Sequence, residues 1–237
     1  MRIAALYDIH GNLPALDAVL AEVEREGVDL IVAGGDIVPG PLPRETLSRL
    51  LGLSIPTRFI LGNGEVAVLE AMAGKDPNGP AIRWNAEQLA AEREILSSWP
   101  ATIRIHVAEI GNVLFCHGTP RHQAEVVTRL TPERPLLSIF AGLGSAMVVC
   151  GHLHMQYDRM VGDTRVVNAG SVGLPYGTQE ACWLLIGGEP EFRRTPYDVT
   201  SAVEQIRETG YPDAPAFISQ ILAPPSLSPM AYSEPRA

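Results

Sequence analysis

The sequence predicts an α/β protein built on two sheets, a mostly parallel one from the first third of the chain and a second, more antiparallel one packed against it. Up to about residue 61, short apolar runs alternate with amphipathic helical patterns, as in strand–helix–strand units. From residue 102 onward the texture changes to closely spaced strand patterns with a Gly-Asp turn signal among them. With 46% apolar and 19% charged residues in 237, the chain has enough apolar side chain for a sizeable core.

Taken in order, residues 2–7 (RIAALY) are an apolar run that stops at Asp8. Over 13–26, Leu13, Leu16, Leu20 and Val23 share a helical face; Pro14 is tolerated in the first turn and Gly27 ends the helix. Residues 29–33 (DLIVA) read as a second buried strand, cut by Gly34-Gly35, and a helix over 44–52 leads to a third strand over 57–61. Strands separated by helices of this length join through right-handed crossovers in a parallel sheet. Segments 67–73 and 82–98 read as helical, the latter packing Trp84 into the core. Strand patterns follow over 102–107, 112–116, 146–150, 157–161, 165–168 and 181–186, with Gly162-Asp163 as a hairpin turn, then a helix over 201–208. Residues 1–209 read as one domain. The tail 210–237 holds six of the 20 prolines and reads as an extended arm with at most one helical turn. Its apolar positions leave room for a contact between copies of the chain, hence a homo-oligomer.

Charge and cysteine content narrow the function. Aspartate and glutamate number 27 against 18 lysines and arginines, a net −9, which argues against duplex nucleic acid as a partner because phosphate neutralisation needs clustered basic residues. A local, metal-bearing site for a phosphate ligand is still compatible with that balance. No apolar run reaches the ~18–20 residues of a membrane-spanning helix. The N-terminus MRIAALYDIHGN lacks the features of a secretory signal. Cys116, Cys150 and Cys182, an odd count in apolar runs, read as reduced buried thiols, so a cytoplasmic location is expected.

The chemistry-bearing residues gather at strand ends. Asp8-Ile9-His10, Gly35-Asp36, Gly62-Asn63, His117-Gly118 and Gly151-His152-Leu153-His154 each follow an apolar run. In open α/β sheets ligands bind beyond the carboxyl ends of strands, so these five clusters should converge. Four of the chain's six histidines lie in them, which core packing does not explain; His106, within a strand pattern, reads as structural. A nitrogen and oxygen donor set suits manganese, iron, zinc or nickel better than magnesium and excludes a thiolate site. Seven donors are too many for one tetrahedral ion and suit two divalent ions sharing a carboxylate. Such a pair, ~3.5–4 Å apart, clamps a phosphate, turns a bridging water into hydroxide and stabilises the departing oxygen. Arg121 and His122, directly after CHGTP, are candidates to lie over the phosphate.

The order Asp-x-His, Gly-Asp, Gly-Asn, His-Gly, Gly-His-x-His resembles the calcineurin-like metallophosphoesterases. GDIVPGPLPRE, CHGTPR and VVNAGSVGLP are similar to stretches of their small bacterial and archaeal phosphodiesterase-like members, and the resemblance covers about residues 1–195. It implies two facing mixed β-sheets flanked by helices, an α/β/β/α sandwich. By position it implies Asp8, His10 and His154 on a first metal, Asn63, His117 and His152 on a second, and Asp36 bridging both. Asp36, Asn63, Arg121 and His122 would then serve catalysis on a small phosphoester, a nucleotide among the options. One departure stands out: where the family usually has Gly-Asn-His followed by a carboxylate, this chain has Gly62-Asn63-Gly64-Glu65. The usual histidine sits near the phosphate and assists the leaving oxygen, a task Gly64 does not perform. Two alternatives compete with a phosphodiesterase. One is a dinucleoside-polyphosphate or protein phosphatase, although those relatives tend to carry Asp-Arg-Gly where this chain has Val38-Pro39-Gly40. The other is a catalytically weak metal-binding scaffold of the same fold.

Overall fold

Period-two burial decides how the layers stack. In the computed structural model, which describes residues 1–75 and 79–225, β1 (Ile3–Leu6) sends Ile3 and Ala5 to one face and Ala4 and Leu6 to the other. Helix α1 (Leu13–Arg25) follows, started by Asn12, whose side chain accepts from the Ala15 amide, and it covers the Ala4/Leu6 face with Leu16, Val19, Leu20 and Val23. Cutting Leu16 or Leu20 back to alanine would cost about 2–5 kcal/mol. Next come β2 (Leu30–Ala33), α2 (Pro43–Leu51), β3 (Thr57–Phe59), α3 (Asn63–Met72), α4 (Pro80–Gln88) and α5 (Arg93–Ser97). The second half runs β4 (Thr102–Val107), β5 (Gly111–Cys116), α6 (Glu133–Phe140), β6 (Met147–Cys150), β7 (Tyr157–Val161) and β8 (Thr164–Asn168). The chain then forms β9 (Ala181–Ile186), β10 (Glu191–Thr195), α7 (Val199–Glu208) and α8 (Ala214–Leu222).

The strands form two five-stranded sheets, ordered β10-β9-β1-β2-β3 and β4-β5-β6-β8-β7. Ile3, Ala5, Tyr7 and Val32 of the first face Val113, Phe115, Val149 and Val167 of the second, while α6 covers the outer face of the second sheet with Leu136, Ile139 and Phe140. The result is the expected sandwich of two mixed sheets flanked by helices. The cysteines are buried and free, and no helix among the described residues is long and apolar enough to cross a membrane.

Several local expectations need correction. The second sheet is no more antiparallel than the first: each has two parallel and two antiparallel pairings. Strand β9, wholly buried, returns to the first sheet and pairs antiparallel with β1. Edge strand β10 (EFRRT) is largely exposed and so carries no apolar alternation that would mark it in the sequence. The pattern over 82–98 is broken by a 3-10 turn at Ala90–Glu92 that keeps Leu89 and Leu96 both buried, so periodicity alone could not show the break. Trp84 is only half-buried, edge-on to Tyr211 at 5.5 Å. Residues 214–222 form a helix instead of an extended arm. Pro215 sits in its first turn, where a missing amide removes no helical bond. The remainder of the proline-rich stretch, from 226, lies outside the described residues.

Candidate metal centre

The five strand-end segments meet at one edge of the two sheets. Asp8 and His10 follow β1, Asp36 follows β2, Asn63 opens α3, His117 follows β5, and His152 and His154 follow β6. Two groups of three donors result, Asp8/His10/His154 and Asp36/His117/His152, each with its donor atoms within 4.8 Å of one another. Carboxylate oxygens stand between the groups. Asp36 Oδ2 is 3.8 Å from His10 Nε2 and 3.5 Å from His117 Nε2; Asp8 Oδ1 is 3.3 Å from His154 Nε2 and 3.7 Å from His117 Nε2.

The backbone is bent to deliver these side chains. Among the described residues, every non-glycine residue in the left-handed region belongs to this set: Asp8 (φ +52°), His10 (+50°), Asp36 (+50°), His152 (+68°) and His154 (+60°). Such conformations persist only where surrounding structure enforces them, and they cluster at functional sites.

Hydrogen bonds fix the rings. Pro39, Gly34 and Leu174 offer carbonyl oxygens to Nδ1 of His10 (3.1 Å), His117 (2.9 Å) and His154 (2.8 Å). A carbonyl only accepts, so each Nδ1 donates, which turns each Nε2 inward as the arrangement of a metal ligand requires. His10 and His154 Nε2 approach to 3.1 Å. Asp8 Oδ2 accepts the His152 amide at 2.8 Å, and Asn168 donates to the Gly151 carbonyl at 2.6 Å, steadying the last motif.

Three buried polar atoms at the centre lack a hydrogen-bond partner: Asp8 Oδ1, Asn63 Oδ1 and His117 Nε2. An unsatisfied buried polar atom costs about 1–3 kcal/mol, so these atoms fit divalent cations. The carboxylate electrostatics agree, while two of the histidines hold protons that a cation must displace. Burial pushes the Asp8 and Asp36 carboxyls up, but His154 and His117 hold Asp8 below its ordinary value and His117 holds Asp36 well below. Burial works against the charged imidazoles, yet Asp36 and Asp8 lift His117 to about 10, and Asp8 raises His154. Burial, reinforced by His154 and by His117 respectively, lowers His10 and His152.

Glu65 has a role of its own. It is fully buried, and its carboxylate accepts four backbone amides: Oε2 from Asp36 and Gly62, both at 2.8 Å, and Oε1 from Ile37 at 2.7 Å and Val38 at 3.2 Å. Burial and the nearby Asp36 raise its pKa, and the amides oppose that shift. Its position as third residue of α3, reaching back to the Gly62 amide, is half of a capping box and was readable in the sequence.

Arg121 and His122 lie on the exposed loop after β5, and their side-chain partners all belong to that loop. The Arg121 guanidinium is engaged by Glu125, with Nε 2.8 Å from Oε2, and His122 Nδ1 accepts the Ala124 amide at 3.1 Å. His106 is exposed and pairs with the Asn112 side chain, apart from the cluster.

A two-sheet sandwich with a histidine and carboxylate cluster at the strand ends is an α/β/β/α protein with two candidate metal-binding groups. The chain belongs to the calcineurin-like phosphoesterase superfamily, whose domain model matches residues 1–187. It is 28% identical over 235 residues to the uncharacterized protein MJ0912 of Methanocaldococcus jannaschii, covering 89% of this chain and 94% of that one. It is 30% identical over 137 residues to the symmetrical bis(5'-nucleosyl)-tetraphosphatase of Pectobacterium atrosepticum, covering 56% of this chain and 49%, about half, of that enzyme. The crystal structure of a metallophosphoesterase from Sphaerobacter thermophilus is similar at TM-score 0.72 and 27% identity, over 94% of this chain and 99% of that one. Protein PH1004 of Pyrococcus horikoshii OT3 shares the fold at TM-score 0.78 and 21% identity, over 93% and 97% of the two chains.

Proposed function

We propose that this protein is a dinuclear metal-dependent phosphoesterase acting on small phosphodiesters or activated phosphoesters, nucleotides among them. The observation that supports it best is Asp36 Oδ2 lying 3.8 Å from His10 and 3.5 Å from His117, between the two donor groups. Asp8, His10 and His154 would hold one ion, Asn63, His117 and His152 the other, and Asp36 both. The donor set suits manganese, iron, zinc or nickel. When bound, two such ions neutralise the phosphoryl oxygens, lower the pKa of a water and stabilise the leaving oxygen.

The chain's own part is positional. Carbonyls of Pro39, Gly34 and Leu174 fix three imidazoles, and the Asp36 carboxylate sits against both groups. A chain of net −9 needs local positive charge to attract a phosphate, and Arg121 is already engaged by Glu125, so most of that attraction falls to the metal centre. Arg121 and His122, four and five residues after His117 on the exposed loop, are the side chains proposed to contact substrate. The tetraphosphatase relatives support a second reading, a nucleoside-polyphosphate substrate. Three buried free thiols fit a reducing, cytoplasmic compartment, and the tail leaves a homo-oligomer open.

Reconstitution with manganese, nickel, zinc or magnesium, followed by elemental analysis, should give two metals per chain. Those samples should hydrolyse bis-nitrophenyl phosphate, and a panel of cyclic nucleotides, dinucleoside tetraphosphates and monoesters ranks the substrates. At most one metal per chain at saturation contradicts the dinuclear reading; two metals with no hydrolysis of any ester would leave a scaffold.

A further inference from the structure

We propose that Glu65 is a positioning residue of the metal centre: it holds the backbone that carries Asp36, so that the Asp36 carboxylate presents one oxygen to both donor groups. This rests on the two-metal reading above.

Asp36 sits at φ +50°, and the amides of Asp36, Ile37 and Val38 converge on the two oxygens of a single carboxylate. Three consecutive amides pointing at one place form a concave anion-binding nest. Here the anion is built into the chain. The fourth amide comes from Gly62, beside Asn63, so Glu65 ties the segment after β2 to the segment before α3. The same helical turn also fixes the far end of Asp36, because the Gly64 amide donates to Asp36 Oδ1 at 2.6 Å. With Oδ1 held and the main chain held, Oδ2 is the oxygen left facing His10 and His117.

Glu65 is fully buried and both its oxygens are occupied by amides, so it is not placed to exchange protons with a substrate. The packing around it is close: a Cβ on Gly62 would overlap the Asp36 carboxylate and lie 2.9 Å from Glu65 Oε2. No other described side chain accepts from the amides of Asp36, Ile37 or Val38.

The test is manganese binding, read by titration calorimetry and elemental analysis on Glu65→Gln, with Leu136→Ala as a control. Glutamine keeps the shape but turns an NH2 toward amides that need an acceptor. Leu136 lies on α6 and packs against the outer face of the second sheet, so its truncation lowers stability without removing a donor or an amide partner of Glu65. Glu65→Gln should weaken manganese binding about 10–100-fold, the range for supporting groups around metal ligands, whereas Leu136→Ala should bind like the unmodified chain. Unchanged affinity and stoichiometry in folded Glu65→Gln would overturn the proposal, as would an equal loss in Leu136→Ala. If Glu65→Gln does not fold, Glu65→Asp takes its place: the shorter acid cannot span all four amides, so its affinity should also fall, and full affinity counts against the proposal. Fewer than two manganese ions in the unmodified chain would contradict the dinuclear reading instead, and the Glu65 effect would then be read on the single ion.

Discussion

His154 donates its Nδ1 proton to the Leu174 carbonyl across 2.8 Å, and that bond links the candidate metal centre to the C-terminal helices. Leu174 packs among Ala202, Val203, Ile206, Phe217 and Ile221 of α7 and α8. Two further ties hold its loop: the Gly177 amide donates to the Pro225 carbonyl at 2.9 Å, and the Gln179 side chain to the Leu222 carbonyl at 2.7 Å. The matched family domain ends at residue 187, so a later part of the chain supports a residue at its centre. Ending the chain after Gly210 should therefore weaken metal binding mainly at the Asp8/His10/His154 group, by roughly tenfold or more. Gln179→Ala should act in the same direction and less strongly. Competition with a chelator would measure both, and an unchanged two-metal titration in the shortened chain would contradict the linkage.

Metal binding should tighten as pH rises. In the metal-free chain, burial disfavours the charged imidazoles, but Asp36 and Asp8 raise His117 to about 10 and Asp8 raises His154. Both protons must leave before Nε2 can bind a cation, and each proton displaced makes affinity climb roughly tenfold per pH unit below its pKa. Manganese titrations at successive pH values between neutrality and pH 9 test this, and a flat profile would contradict it. The sign for stability is opposite. A raised histidine stabilises the metal-free fold fully below its unfolded value of about 6.5, and that contribution is lost as pH rises through about 10. The lowered Asp36 stabilises above about 3.9 and loses its contribution on acidification. Chelator-treated protein should thus melt at lower temperature at pH 9.5 than at pH 7.5.

Asp36→Asn tests the bridge. The amide keeps the shape but loses the charge that faces His10 and His117. Metal content should fall from two to at most one per chain, and hydrolysis of bis-nitrophenyl phosphate should fall with it. Retention of two metals and of the hydrolysis rate would remove Asp36 from the centre.

What was legible in the sequence follows from range. The apolar runs of β1, β2 and β9 and the face of α1 were readable because burial imposes a local period. The donor positions were readable because four of the six histidines, with Asp8 and Asp36, gather just beyond apolar runs, which core packing does not explain. The left-handed backbone at five of those residues has no local signature, since the strain is imposed by distant segments. Glu65 offered a capping signal, but the three amides from Asp36 to Val38 come from 27 to 29 residues away. Proline content does not distinguish an arm from a helix start at α8, where Pro215 occupies the first turn.

Gly64 lies against the Pro39 ring. A Cβ at position 64 would overlap the Pro39 ring and lie 2.8 Å from Asp36 Oδ1, so the histidine usual in the resembling proteins does not fit here without displacing both. Gly64→His is therefore not a simple restoration, and even Gly64→Ala should weaken metal binding by disturbing Asp36. Pro39→Ala removes the ring atom in the way while keeping the carbonyl that holds His10, so the double variant should recover part of the loss. With no side chain at 64, that position gives no acid assistance to the leaving oxygen, a contribution typically worth ~10²–10⁴-fold. Nitrophenolate departs without it and an alkoxide does not, so activated aryl diesters should be cleaved far faster than alkyl esters. If His122 supplies the missing proton, His122→Ala should cut alkyl-ester rates by about tenfold or more while leaving nitrophenyl rates within about twofold. Equal losses on both substrate classes would instead assign His122 to binding, and no loss on either would leave the metal centre as the sole stabiliser of the departing oxygen.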